Sequence, residues 1–168
     1  MKKKPYIIAF FFFIIDFISK QIIINTMFEG QSIKLIDNFF YITYVRNTGA
    51  AWSILSDQRI LLLIVSVIVL YLINQTMNKE NLSKLENIIY GVIIGGIIGN
   101  LFDRAYSASV IDFLDFKIFG YDYPVFNFAD IFIVVGIIIL IIIYIRKEYY
   151  GKNSSRRRKN SHWYFLGK

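Results

Sequence analysis

Four stretches of the chain shed nearly all polar residues for long enough to cross a bilayer, which takes about 20 residues. They predict spans at about 6–25, 59–77, 85–103 and 126–146. The apolar core of the second, Ile60 to Ile73, is the shortest. Between the first two, "SIKLI" and "FFYITYV" are rich in β-branched and aromatic residues, and "RNTG" supplies a turn, so an outer β element is expected at about 30–55. Between the last two, "AYSASVIDFLDFKIFGYDYP" mixes apolar and acidic residues too closely for a free loop. It is expected as an outer loop or helix packed on the membrane face or on the sheet. The predicted fold is therefore membrane α-helical: four transmembrane helices with a small extracytoplasmic β-sheet element and an outer loop/helix segment. One integral-membrane domain occupies residues 1–150, and a polar, mobile basic tail occupies 151–168.

Composition agrees with the pattern. Hydrophobic residues make up 56% of the chain, above the roughly 45–50% of soluble domains. There is no cysteine, which excludes disulfides, thiolate catalysis and cysteine–zinc sites. The single histidine, His162, lies in the tail, so acid–base chemistry falls to carboxylates, lysine or tyrosine. No phosphate-cradling or metal-ligand spacing occurs, and no cofactor or metal is expected. The net charge of +7 is concentrated at Lys2–Lys4 and from Arg146 to Lys159. Flanking membrane spans, such clusters follow the positive-inside bias and meet anionic lipid rather than nucleic acid. With an even number of spans, both termini are expected in the cytoplasm. Met1 to Ile15 has the outline of a secretory signal, but "DFISKQIIIN" offers no small-residue cleavage site, so a retained first helix is expected. Trp52 and the tyrosines suit the headgroup level.

Ionisable groups in spans are costly and point to function. Asp16 and Lys20 stand four apart on the first helix and share a face. Asn100, Asp103 and Arg104 end the third span, Asn127 and Asp130 begin the fourth, Asp112 lies between, and Asn47 lies on the β element. All fall near the outer boundary, whereas a small transporter or channel component, the alternative reading, would spread polar groups through the membrane depth. Gly91, Gly95 and Gly99 share one face of the third span and allow close helix contact. Gly96, beside that stripe, would either pack or let a ligand approach the backbone. If the joining segment folds back, Asp130 meets a second carboxylate at the edge of an apolar phase. Two such groups share a proton, and the pair can activate water against a peptide bond. Spacing alone does not choose Asp112 over Asp103 or Asp115 as the partner.

Five stretches in order, "DFISK" (16–20), "RNTGAAWSI" (46–54), "GGIIGNLFDR" (95–104), "VIDF" (110–113) and "FNFAD" (126–130), resemble the bacterial lipoprotein signal peptidases, signal peptidase II. The resemblance implies an integral-membrane aspartic endopeptidase of the bacterial cell membrane, working near its outer face. It would remove signal peptides from diacylglyceryl-modified prolipoproteins, cutting before the lipidated cysteine. Asp112 and Asp130 would be the catalytic pair. Asp16, Lys20, Asn47, Gly96, Asn100, Arg104 and Asn127 would shape the site or contact substrate. The implied partners are that substrate and membrane lipid; a monomer is expected, since the site needs only one chain, with the glycine face as the feature that could serve a dimer.

Overall fold

The computed structural model describes residues 4–49, 55–79 and 81–165. Trp52, Lys2 and Lys3 lie outside the described residues, as do residues 50–54 of the "RNTGAAWSI" stretch and the side chains of the basic tail. Four helices follow the four apolar stretches: α1 (Lys4–Thr26), α2 (Arg59–Lys79), α3 (Lys84–Ser107) and α4 (Phe128–Phe165). Each is long and apolar enough to cross a membrane, α4 over Phe128–Tyr149. The helix α4 runs well beyond the expected end of the span near 146 and takes in most of the tail. No proline interrupts that stretch, and its many Lys and Arg residues are good helix formers.

The chain divides into two compact units, Met1–Gly136 and Ile137–Lys168. The second is the remainder of α4. Its Ile137, Ile138, Ile141, Ile142 and Ile145 are exposed, as suits a helix surrounded by hydrocarbon. The first unit carries everything else.

Within that unit α3 is the most buried helix. It starts at a capping box in which Ser83 Oγ accepts from Glu86 N (3.2 Å) and Glu86 Oε2 accepts from Ser83 N (2.9 Å). Its glycines let two neighbours come close. A Cβ at Gly91 or Gly95 would stand 2.6 Å from the α1 carbonyls of Pro5 or Ala9, and one at Gly96 would stand 2.6 Å from the α4 carbonyl of Ala129. Gly96 thus makes room for a neighbouring backbone.

An antiparallel sheet of order β1–β2–β3–β4 joins the helix ends, with β1 at Ser32–Ile36, β2 at Phe40–Asn47, β3 at Val110–Ile118 and β4 at Tyr121–Asp122. The outer segment expected as loop or helix is therefore a strand hairpin. Residues Val110 to Leu114 are all buried, so the segment carries apolar side chains on both faces and lacks the two-residue alternation that marks a half-buried strand. Its turn, Phe119–Gly120, has positive φ at both residues (53° and 78°), the geometry of tight hairpins. Ile111, Phe113 and Leu114 pack with Tyr44 of β2 and with Ile23 and Met27 at the end of α1, which seats the sheet on the helices. Beyond β4 the chain doubles back. Phe113 N and Leu114 N both donate to Phe126 O (3.0 and 2.8 Å), and Phe126 N donates to Leu114 O (3.1 Å). That return delivers the start of α4 to the side of Asp112.

Candidate active site

The first turn of α4 is held by a reciprocal cap. Asn127 Oδ1 accepts from Asp130 N at 3.0 Å, and Asp130 Oδ2 accepts from Asn127 N at 3.1 Å. This is a capping box with aspartate in the third helical position, where a carboxylate also faces the positive end of the helix dipole. The amide between them, Ala129 N, donates to Asp16 Oδ1 of α1 at 2.9 Å. Asp130 is thus fixed by its own helix, and its other oxygen, Oδ1, accepts from Asn100 Nδ2 of α3 at 2.8 Å.

Asp112 meets the same group from the sheet. Asn127 Nδ2 donates to its Oδ1 at 2.6 Å and Asn47 Nδ2 to its Oδ2 at 2.9 Å. Asn127 is wholly buried, with its amide committed to Asp112, to Asn100 Oδ1 (3.2 Å) and to Asp130 N. It joins the two carboxylates and orients both. Both line one cavity of about 510 Å³ with Asn47, Asn100 and Arg104, and Ile131, Ile133, Val134 and Val135 of α4 give it an apolar wall. Burial pushes the Asp112 carboxyl from 3.8 up to about 7, helped by the negative charge of Asp130; the hydrogen bonds from Asn47 and Asn127 pull the other way.

Beneath the cavity Lys20 is buried and saturated. Its Nζ lies 2.7 Å from Asp16 Oδ2 and 2.8 Å from Asp103 Oδ2, and it donates to Asn100 Oδ1 at 3.0 Å. The contact with Asp16 is an ion pair one helical turn apart. By occupying Asn100 Oδ1, the ammonium turns the Asn100 amide so that its donor faces Asp130. Gly99 lies against this pair; a Cβ there would strike the Asp16 carboxylate.

All nine residues singled out in the sequence lie in or against this assembly. Asn47, Asn100, Arg104, Asp112 and Asp130 line the cavity. Asn127, Asp16 and Lys20 support it from below, and Gly96 spaces α3 from α4. Arg104 donates from Nη2 to Gly49 O at 2.9 Å, and its Nε is buried without a partner among the described residues. Of the two rival acids, Asp115 accepts from Thr43 Oγ1 on the sheet (2.5 Å). Asp103, read as a helix-end residue, belongs to the Lys20 cluster and also accepts from Ile111 N at 3.4 Å, tying the start of β3 to α3. Its distance of three residues from Asn100 placed it on the right face, but nothing in the sequence names its partner.

A family model described as signal peptidase (SPase) II matches residues 8–146. Two solved structures, both described as a bacterial membrane enzyme determined by the in meso method, are similar to the chain. The one at 2.3 Å resolution is 36% identical, covers 88% of this chain and 91% of its own, and superposes with a TM-score of 0.80. The other, at 1.9 Å, is also 36% identical, covers 86% and 94%, and gives 0.76. With four membrane-length helices, a small antiparallel sheet and a match over most of its length, the chain belongs to the signal peptidase II family, the lipoprotein signal peptidases of the aspartic type.

Proposed function

We propose that Asp112 and Asp130 hydrolyse the prolipoprotein as a dyad sharing one proton. The observation that carries this is Asn127, whose side-chain amide donates to Asp112 while its backbone donates to Asp130, so that a buried acid and a half-buried one face one cavity. Asp112 is the more deeply buried and carries the proton near neutrality, its carboxyl standing at about 7. Asp130, charge-compensated at the α4 N-terminus, is the base. A water held between them loses a proton to Asp130 as its oxygen attacks the scissile carbonyl, and Asp112 gives its proton to the carbonyl oxygen. Collapse of the tetrahedral intermediate returns that proton to Asp112 and passes the one on Asp130 to the leaving amine. The Arg104 guanidinium, which lines the cavity, is a donor for the peptide.

The substrate is a diacylglyceryl prolipoprotein cut before its lipidated cysteine. The apolar α4 wall of the cavity suits an acyl chain, while the polar end takes the peptide. The basic ends of the sequence favour both termini in the cytoplasm, which puts the α3–β3–α4 junction, and the site, at the outer face. All the site residues come from one chain, so a monomer suffices. Asp112→Asn and Asp130→Asn, each purified folded in detergent and given a diacylglyceryl prolipoprotein, should cleave at less than about a thousandth of the parental rate. Cleavage close to parental by either variant ends the dyad reading.

A further inference from the structure

Arg59 stands at the first position of α2, a poor place for a cation. The positive end of the α2 dipole repels it, and on the outer side of the membrane it runs against the positive-inside bias. Its guanidinium is spent elsewhere. Nε donates to Arg104 O at 2.7 Å and Nη2 to Ala105 O at 2.6 Å. Both carbonyls belong to the last turn of α3, which ends at Ser107. The planar fork of arginine meets two adjacent acceptors at the negative end of that helix.

These contacts continue toward the cavity. From the turn that Arg59 holds, Arg104 reaches out through Nη2 to Gly49 O at 2.9 Å. Gly49 N in turn donates to Asn47 Oδ1 at 2.9 Å, and Asn47 Nδ2 donates to Asp112 at 2.9 Å. Two arginines therefore hold the two ends of the segment that leaves β2 and enters α2. One grips it at Gly49, and the other ties its far end to the backbone from which the first extends.

We propose that Arg59 is a positioning residue for cleavage: by fixing the last turn of α3 it sets the reach of Arg104, and through the Asn47–Gly49 turn it holds Asp112 in its working orientation. It touches neither substrate nor the reacting atoms. The proposal rests on the dyad reading, and its test separates the two. The kcat/KM of the full-length enzyme on a diacylglyceryl prolipoprotein is measured across pH for Arg59→Ala and Arg59→Lys, beside Asp112→Asn and Asp130→Asn. Misplacement by a fraction of an ångström predicts a loss of about tenfold at neutral pH. A loosened Asn47 also moves the alkaline limb of the profile upward. Arg59→Lys, which keeps the charge without the fork, behaves like Arg59→Ala and carries the same test if the alanine variant does not accumulate. Activity within about twofold of the parent, or a uniform fall with the limb in place as simple destabilisation gives, overturns the proposal. If an aspartate variant cleaves normally, the dyad reading fails whatever Arg59 does. If both are inactive and the Arg59 limb is unmoved, only the positioning role falls.

Discussion

Replacing Asn47 by leucine removes one donor from the proposed dyad, together with the acceptor used by Gly49 N. The side chain keeps its branched outline, and Asp112 Oδ2 loses the 2.9 Å donor that stabilises its ionised form. The carboxyl stands at about 7 because burial and the Asp130 charge raise it more than Asn47 and Asn127 lower it. A hydrogen bond to a charged group is worth about 1.5–3 kcal/mol, and each pH unit corresponds to about 1.4 kcal/mol. Losing Asn47 should therefore move the titration up by roughly one to two pH units. The proposed dyad holds one proton when active, so kcat/KM is expected to fall as pH rises through this value, and the alkaline limb reports it for the free enzyme. The assay is cleavage of a diacylglyceryl prolipoprotein in detergent, followed by gel shift across the pH range. The limb should move from about 7 in the parent to about 8 or above in Asn47→Leu, with a lower plateau. A limb that stays in place or moves to lower pH would refute the assignment of the shared proton to Asp112.

Other outcomes follow from the same contacts. Folding raises the Asp112 pKa from 3.8 to about 7, so the native state holds the proton more tightly and its stabilising effect is complete below about 3.8. That stabilisation, roughly 4 kcal/mol, is lost as pH rises to about 7; Asp112→Asn should remove this part of the fall in the thermal midpoint. Lys20→Met strands the buried Asp16 and half-buried Asp103 carboxylates and should cost about 3–5 kcal/mol, read as a fall in thermal midpoint in detergent. Gly95→Ala forces a Cβ onto the Ala9 carbonyl and should cost about 1–3 kcal/mol by the same measurement. Gly99→Ala also displaces the Asp16 carboxylate from Lys20 and Ala129 N, so it should lower activity beyond its effect on stability.

Much of this architecture could be read from the chain because it follows from one-dimensional rules. The helices follow runs of apolar residues, the glycine stripe follows the helical repeat, and N-x-x-D at 127–130 is a capping pattern that fixes Asp130 whatever its chemistry. The strand β3 was not legible, since burial on both faces removes the alternation that marks a strand. The return of Phe126 to Leu114 was not legible either, because no local signal encodes pairing across the β3–β4 hairpin. That one pairing decides which acid faces Asp130, which is why spacing left Asp103, Asp112 and Asp115 open. Lys20 illustrates the same limit. Its neighbour Asp16 lies one helical turn away, whereas Asp103 and Asn100 reach it only through the contact of α1 with α3. Arg59 read as the polar end of a span, because its two acceptors are backbone carbonyls 45 and 46 residues distant.

The shared proton itself is the most direct quantity to measure. Infrared difference spectra of enzyme carrying ¹³C-labelled aspartate, taken for the parent and for Asp112→Asn, isolate the protonated carboxyl band of that residue. The account predicts a band present below neutrality that titrates near 7, is missing from Asp112→Asn, and moves to lower pH in Asp130→Asn as the repelling charge is removed. A spectrum in which Asp112 is already ionised well below neutrality, or titrates unchanged without Asp130, would contradict it.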